Sequence, residues 1–420
     1  MLPVLLVAMV VLLASCGGEG EESPRLSFWH AMGGPLGTSL DGLVEDFNAA
    51  DPGGPVESVS MGRYTALSQK IMAAVAAGGP PDIAQCYEAW TGNLIDNGSV
   101  ASLTEMIQGP DGLSPESLAD IYPIFLEGGT RGGEIWSFPF NKSVRMLYYN
   151  RDRFAEAGLD PDAPPRTWEE YRLAARALTR DLDGDGEPDQ YGTASQITVT
   201  IFENLLVQAG GTLLDSTETK SAFDSPEGLK ALRFMADLLV NDGSCLLSQG
   251  FEYQNEFLAG NVAMIEGSSV SLAFMRGKIG FDMGIASLPA GEFDTQLVAG
   301  TDVVVFRTDP SRERAAWEFI RWFTDTERTA RWSAETGYIP VRRSAMEHPV
   351  MQEHLAQYSG LAEAYAQLER ALPQPSAKGW YAGRKILESV AIEPVLRGIA
   401  DPEEALALAA AKADAQLSGS

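Results

Sequence analysis

The chain has 420 residues, and its 58 acidic and 31 basic side chains give a formal net charge of −27. An acidic surface of this kind repels a phosphate backbone, which excludes nucleic acid as a partner, and the length exceeds what one hydrophobic core usually serves, so two lobes are expected. Three cysteines, Cys16, Cys86 and Cys245, are too few for a disulfide framework and lack zinc-site spacing. Cys86 and Cys245 are expected as two separate buried thiols, with a disulfide between them as the alternative.

Taken in chain order, Leu2 to Leu13 is almost wholly apolar and runs into Leu13-Ala14-Ser15-Cys16-Gly17. A membrane-spanning helix needs about 20 apolar residues, so this shorter run reads as the core of a signal peptide over residues 1–16; a buried strand or helix is the bland alternative. Leu-Ala-Ser-Cys resembles the bacterial lipobox, although no Lys or Arg precedes the apolar core. That resemblance implies a lipidated Cys16 and an extracytoplasmic, membrane-anchored protein, with residues 17–24 as a solvated Gly/Glu tether.

Beyond the tether, strand-like and helix-like patterns alternate, which predicts an α/β architecture with parallel or mixed sheets. Leu26 to His30 reads as a strand, and Leu40, Leu43, Val44 and Phe47 then recur at helical spacing. A second unit runs from Val56–Val59 into a helix from Tyr64 to Ala77, stopped by Gly78-Gly79-Pro80-Pro81. Asp82 to Tyr87 reads as a strand whose end delivers Glu88, Trp90 and Asn93 to a loop, a position suited to a ligand crevice. Extended segments at 135–140 and 144–150 suggest a first crossing between lobes, 281–289 a second, and Gly337-Tyr338-Ile339-Pro340 a third. The expected division is 25–138 plus 282–332 for lobe one and 139–281 plus 333–420 for lobe two.

Asp181, Asp183, Asp185, Glu187 and Asp189 alternate with glycines in Asp181-Leu182-Asp183-Gly184-Asp185-Gly186-Glu187-Pro188-Asp189. Alternate oxygens suit calcium, but Gly192 stands where an EF-hand loop carries its final glutamate, so a structural calcium site and a solvated acidic turn both stay open. No cofactor is otherwise required.

Phe28-Trp29-His30-Ala31-Met32-Gly33-Gly34-Pro35, Gly79-Pro80-Pro81-Asp82-Ile83, Phe138-Pro139-Phe140-Asn141 with Leu147-Tyr148-Tyr149-Asn150, and Thr336-Gly337-Tyr338-Ile339-Pro340 together resemble the extracytoplasmic sugar-type solute-binding proteins of bacterial ABC importers. Among these the glycerol 3-phosphate binders are the nearest in motif. The resemblance implies a two-lobed, type II periplasmic-binding-protein fold with discontinuous lobes and a hinge, a monomer that closes on a sugar, polyol or glycerophosphodiester and docks on a membrane permease. It also places Tyr64, Glu88, Ser143, Ser269, Gly300 and Tyr338 as ligand contacts, with Trp380 and Tyr381 as flat faces for a sugar.

Two family positions differ. Val199 stands where the family has a pocket tryptophan, and Tyr381 where it has a phosphate-contacting arginine. Without a bidentate arginine a phosphate dianion loses its strongest partner, which favours a neutral sugar; the alternatives are that Arg384 or Arg145 replaces the missing cation, and that a glycerophosphodiester fits a pocket widened at Val199. The rival class is a lipoprotein enzyme acting on a carbohydrate or phosphodiester; His30, His348 and His354 form no HExxH pattern and no Gly-x-Ser-x-Gly elbow is present.

Overall fold

The computed structural model describes residues 25–50 and 54–418. The signal segment, Cys16 and the tether at 17–24 lie outside the described residues. The strands are β1 Leu26–His30, β2 Val56–Ser60, β3 Ile83–Cys86, β4 Thr130–Arg131, β5 Glu134–Ile135, β6 Phe138–Ser143, β7 Arg145–Asn150, β8 Tyr191–Gln196, β9 Cys245–Ser248, β10 Val262–Ser268, β11 Met283–Ala286 and β12 Ala299–Val305. One sheet has the order β2-β1-β3-β12-β6 and another β11-β7-β10-β8-β9, while β4 and β5 form a small hairpin. Each large sheet mixes parallel and antiparallel pairs, as a chain that leaves and re-enters both sheets requires.

Local sequence explains the elements. In β1 burial alternates, with Leu26, Phe28 and His30 inside, so one face meets the core. All of β6 and β7 is buried, as suits strands covered on both faces. The helix Pro35–Ala49 starts with proline in its first turn and buries Leu36, Leu40, Leu43, Val44 and Phe47, the face read from its spacing. The helix Tyr64–Ala76 ends one residue before the sequence expectation, and Gly78 then takes φ +73°.

Helices cover both sheets. Phe28, Phe140, Phe319, Phe323 and Trp332 fill one face of the first sheet, and Leu67, Ile71, Trp90, Val304 and Phe306 the other. A helical core in the second lobe gathers Phe202, Phe223, Trp380, Leu406 and Ala409. Cys86 and Cys245 are free and buried in β3 and β9, one in each sheet.

The lobe boundaries shift from the expected ones. β6 hydrogen-bonds to β12 in the first sheet, so the first crossing falls at Val144, after Ser143, and not at 139. β11 pairs with β7 in the second sheet, so the chain returns between Ala286 and Ala299 and not at 282. The open edge of β7 captures β11 first, and Pro289, which has no N–H to give a ladder, lies just beyond its end.

The crossings are tied to one another because buried backbone groups need partners. Val144 O accepts from Ser269 N at 2.8 Å and Lys142 O from Ile339 N at 2.7 Å. The buried Gln296 side chain accepts from Arg145 N at 2.8 Å and donates to Arg145 O at 3.3 Å, joining two crossings. Gly337 closes the helix Thr326–Thr336 at φ +79°, and a Cβ there would lie 2.4 Å from Ser269 O. Gly337→Ala should therefore lower unfolding free energy by about 1–3 kcal/mol, and by more than Gly243→Ala, where φ is +59° but a Cβ meets nothing within 4 Å. Urea denaturation of the two variants checks the order; equal losses would show that the Ser269 contact carries no weight.

Candidate ligand-binding site

The end of β3 passes through Tyr87 directly into the helix Glu88–Asp96. Glu88, Trp90 and Asn93 therefore sit on a helix and not on the expected loop. Glu88 occupies the first turn, where the helix dipole favours a negative charge. Its Oε1 accepts from Lys142 Nζ at 2.6 Å, and the same Nζ lies 2.6 Å from Asp302 Oδ1. Asp302 Oδ2 accepts from Ser137 Oγ at 2.8 Å.

All three charged side chains are buried, at 2%, 9% and 0% exposure for Lys142, Glu88 and Asp302. Burial alone would lower the Lys142 pKa, but the charges of Asp302 and Glu88 outweigh it and raise the pKa, so the ammonium persists. Burial pushes the Asp302 carboxyl up against the opposing pull of Lys142. Lys142 is absent from the sequence reading, although an isolated lysine inside the buried run Phe138–Ser143 is itself a signal that a carboxylate awaits it.

Facing this triad, Gly300 on β12 stands opposite Lys142 on β6. Its φ is +106°, and a Cβ would fall 1.9 Å from Asn141 O, so no side chain fits where the backbone edges the cleft.

From the second lobe, Tyr381 opens the turns of the helix Trp380–Ile386. Its ring stacks on Tyr87 with centroids 6.3 Å apart and meets Trp90 edge-on at 5.5 Å. Tyr64 packs on Tyr87 at 4.9 Å. These rings hold the lobes together and leave a cavity of about 70 Å³ lined by Tyr87, Glu88, Thr200, Gly300, Tyr381 and Arg384 among others. Small-molecule sites usually measure about 300–1,000 Å³, so the space between the lobes as they stand is too small for a sugar-sized solute.

The other expected contacts are placed unequally. The Tyr64 hydroxyl accepts from Gln85 Nε2 at 3.2 Å and Asn141 Nδ2 at 3.3 Å, inside the first lobe. Tyr338 stacks on Trp332 at 5.6 Å, and its buried hydroxyl meets the Tyr64 and Asn141 side chains as well as Met32 Sδ at 3.9 Å, so the two expected tyrosines share one polar cluster. Ser143 is buried at the end of β6, opposite Ala299. Ser269 lies at the hinge with a buried hydroxyl that has no hydrogen-bond partner among the described residues. Trp380 borders the cavity, but its ring is fully buried and packs toward Phe223 in the helical core.

Of the two candidate arginines, Arg384 reaches the cleft and Arg145 does not line it; Arg145 is paired with Glu266. Arg384 donates through Nε and Nη2 to the two carboxylate oxygens of Glu203, both at 2.7 Å, and Glu203 is wholly buried. Val199 heads the helix Val199–Gln208, and its N–H donates to Glu388 Oε2 at 2.9 Å.

Away from the cleft, Asp181, Asp183 and Asp189 each bring a carboxylate oxygen within 4.8 Å of the others, all exposed. Asp185 and Glu187 stand outside this group, and Asp185 Oδ1 instead accepts from Glu187 N at 2.8 Å. Gly184 and Gly186 donate their N–H groups to Asp181 at 2.7 and 2.9 Å and hold its carboxyl below the usual range.

A closed two-lobed clamp with polar groups from both lobes at its seam defines a solute-capturing protein. The chain belongs to the bacterial extracellular solute-binding protein family, which it matches over residues 42–357. It is 26% identical to the sn-glycerol-3-phosphate-binding periplasmic protein UgpB of Pectobacterium atrosepticum over 425 aligned positions, covering 98% of this chain and 95% of that one. Among solved structures it is similar to the cyclic α-maltosyl-1,6-maltose binding protein of Arthrobacter globiformis, at 25% identity and TM-score 0.79 over 94% of this chain and 99% of that one. The fold is also that of UgpB from Mycobacterium tuberculosis in complex with glycerophosphocholine, with TM-score 0.81 at 22% identity, covering 94% and 98%. The chain is thus the extracytoplasmic solute-binding component of an ABC importer, and among the described residues no helix is long and apolar enough to cross a membrane.

His30, in the Phe-Trp-His motif, accepts from Met32 N at Nδ1 (3.1 Å) and meets Ser58 Oγ at Nε2 (2.8 Å), with Ser58 donating to Asp41 at 2.8 Å. A serine nucleophile needs its histidine oriented by a carboxylate on the far ring nitrogen, and here a backbone N–H occupies that place. Burial lowers the pKa of His30 to about 4 against the opposing charge of Asp41, and burial, aided by Arg276, lowers His354 to about 4. A depressed histidine pKa gives stability that is complete above the unfolded value of 6.5 and lost as pH falls toward 4. Urea unfolding between pH 7.5 and 4.5 should show that loss, and His30→Gln should flatten it; an unchanged slope would assign the loss to other groups. Asp302, whose carboxyl is raised, works in the opposite sense over the same range, so the difference between variant and parent isolates the histidine.

Proposed function

We propose that this protein captures a small hydroxyl-bearing solute of the carbohydrate and glycerol-phosphate class between its lobes and delivers it to the transmembrane subunits of an ABC permease. The observation that carries this reading is the seam itself. Glu88 and Gly300 from one lobe meet Thr200, Tyr381 and Arg384 from the other around one cavity. Carboxylate, hydroxyl and guanidinium groups are the natural partners of vicinal hydroxyls, and flat rings suit sugar C–H faces. The glycerol 3-phosphate and maltosaccharide names of the relatives support the same class.

In this reading the open clamp admits solute, the solute bridges both lobes, and the closed form is the one that docks, so binding shifts an existing equilibrium. The protein works as a monomer without chemical turnover. The Leu-Ala-Ser-Cys segment supports anchoring through Cys16 on the outer side of the membrane. Tyr64, Ser143, Ser269 and Tyr338 then act from the hinge side as the lobes part, while Trp380 supports Tyr381 from within the core.

A thermal-shift screen of monosaccharides, disaccharides, glycerol 3-phosphate and glycerophosphocholine should yield a saturable shift, with the added compound recovered unchanged. Glu88→Ala should abolish that shift; an undiminished shift would remove Glu88 from the site, and product formation would make the protein an enzyme.

We also propose that the loop at Asp181–Asp189 holds a structural calcium ion. Three mutually repelling carboxylates supply the oxygen ligands that such an ion prefers. Calcium should raise the melting temperature by a few degrees at saturation through mass action, and Asp181→Asn combined with Asp183→Asn should remove the increase. A shift that survives both substitutions would place calcium elsewhere.

A further inference from the structure

Phosphate recognition in a cleft of this kind needs a cation with free donors, or the exposed N–H groups of a helix start. The seam contains both devices, and a carboxylate already engages each in part. Arg384 lines the cavity, yet Nε and Nη2 of its guanidinium are held by the two oxygens of Glu203 in a fork-to-fork pair at 2.7 Å. The helix Val199–Gln208 points its start at the same cavity through Thr200, yet Val199 N–H is taken by Glu388 at 2.9 Å. Lys142, beside the cavity, is shared between Glu88 and Asp302, and the exposed Lys385 places its Nζ over the Tyr381 ring, 4.7 Å from the centroid. Three cations, Lys142, Arg384 and Lys385, therefore stand near four carboxyl groups, those of Glu88, Asp302, Glu203 and Glu388.

Resting on the function proposed above and narrowing it, we infer that Glu203 is a specificity-determining residue: by occupying Arg384 it closes the cleft to phosphate monoesters and selects an uncharged polyhydroxylated solute. Glu203 is fully buried behind Arg384 and does not line the cavity. Its effect is exerted through the guanidinium: the buried carboxylate offsets its positive charge and takes its Nε–H and one Nη2–H, so the N–H groups left on Nη1 and Nη2 can serve hydroxyls while the charge that would hold a dianion is already balanced. The carboxylate surplus adds repulsion against any incoming anion.

Calorimetric titration of the mature protein with glycerol 3-phosphate, glycerol, maltose and glycerophosphocholine tests this, with circular dichroism to confirm folding of each variant. The parent protein is expected to bind glycerol 3-phosphate no better than glycerol. Glu203→Gln keeps the shape and one acceptor while releasing the guanidinium charge, and should gain glycerol 3-phosphate affinity by about tenfold or more. Glu203→Gln with Arg384→Met removes both charges and should return that affinity to the parent level. A folded Glu203→Gln protein with no gain would overturn the inference, as would a parent that binds glycerol 3-phosphate more tightly than the double variant does. The double variant leaves neither charge of the pair buried alone, so the second comparison stands even where the single variant fails to fold. The outcome for neutral solutes is separate: if neither maltose nor any other uncharged saccharide or polyol binds the parent, the proposed function loses its sugar reading whatever Glu203→Gln does.

Discussion

The buried ammonium of Lys142 is the constraint around which the cleft is arranged. It lies on β6 two residues before the chain crosses out of the first lobe at Val144, and its two partners come from the start of the helix after β3 and from the middle of β12. Removing the lysine would leave two carboxylates out of water with no cation between them, and stranding a buried charge typically costs about 3–5 kcal/mol. The three elements are therefore fixed relative to one another whether or not a solute is present, and the Glu88 side of the cleft is rigid. The facing side of the cavity belongs to the second lobe, whose Tyr381 and Arg384 reach it from one short helix.

The closing motion and the chemistry of recognition share residues. Lys142 holds Glu88 by its side chain and Ile339 by its carbonyl, so the residue that orients the carboxylate also ties two of the three crossings together. Gln296 performs the corresponding backbone pairing for Arg145. The hinge is thus a set of hydrogen-bonded strands side by side and not a slack linker, which favours a few discrete lobe orientations over a continuum.

Much of the architecture was legible in the sequence because it rests on local rules: the alternating burial of β1, the apolar face of Pro35–Ala49 and the Gly-Pro stop after Ala77 are each decided within a dozen residues. What could not be read is set by distance along the chain. Lys142 and Glu88 are 54 positions apart and Arg384 and Glu203 are 181 apart, so no spacing rule joins them. The return crossing was misplaced for the same reason: 281–289 is extended in either assignment, and only the hydrogen-bonding edge of β7 decides which sheet receives it. Trp380 illustrates the limit for single residues, since an indole beside a cleft and an indole in a core carry the same sequence signature, and here its ring belongs to the core.

Tyr381 touches Tyr87 and Trp90 across the seam, and Trp90 is 6% exposed while the lobes are together. Parting the lobes takes away the phenol that covers one edge of that indole and puts water in its place. The protein therefore carries its own optical gauge of closure: the emission of Trp90 follows the distance between the two halves, with no dye attached and no knowledge of the solute required.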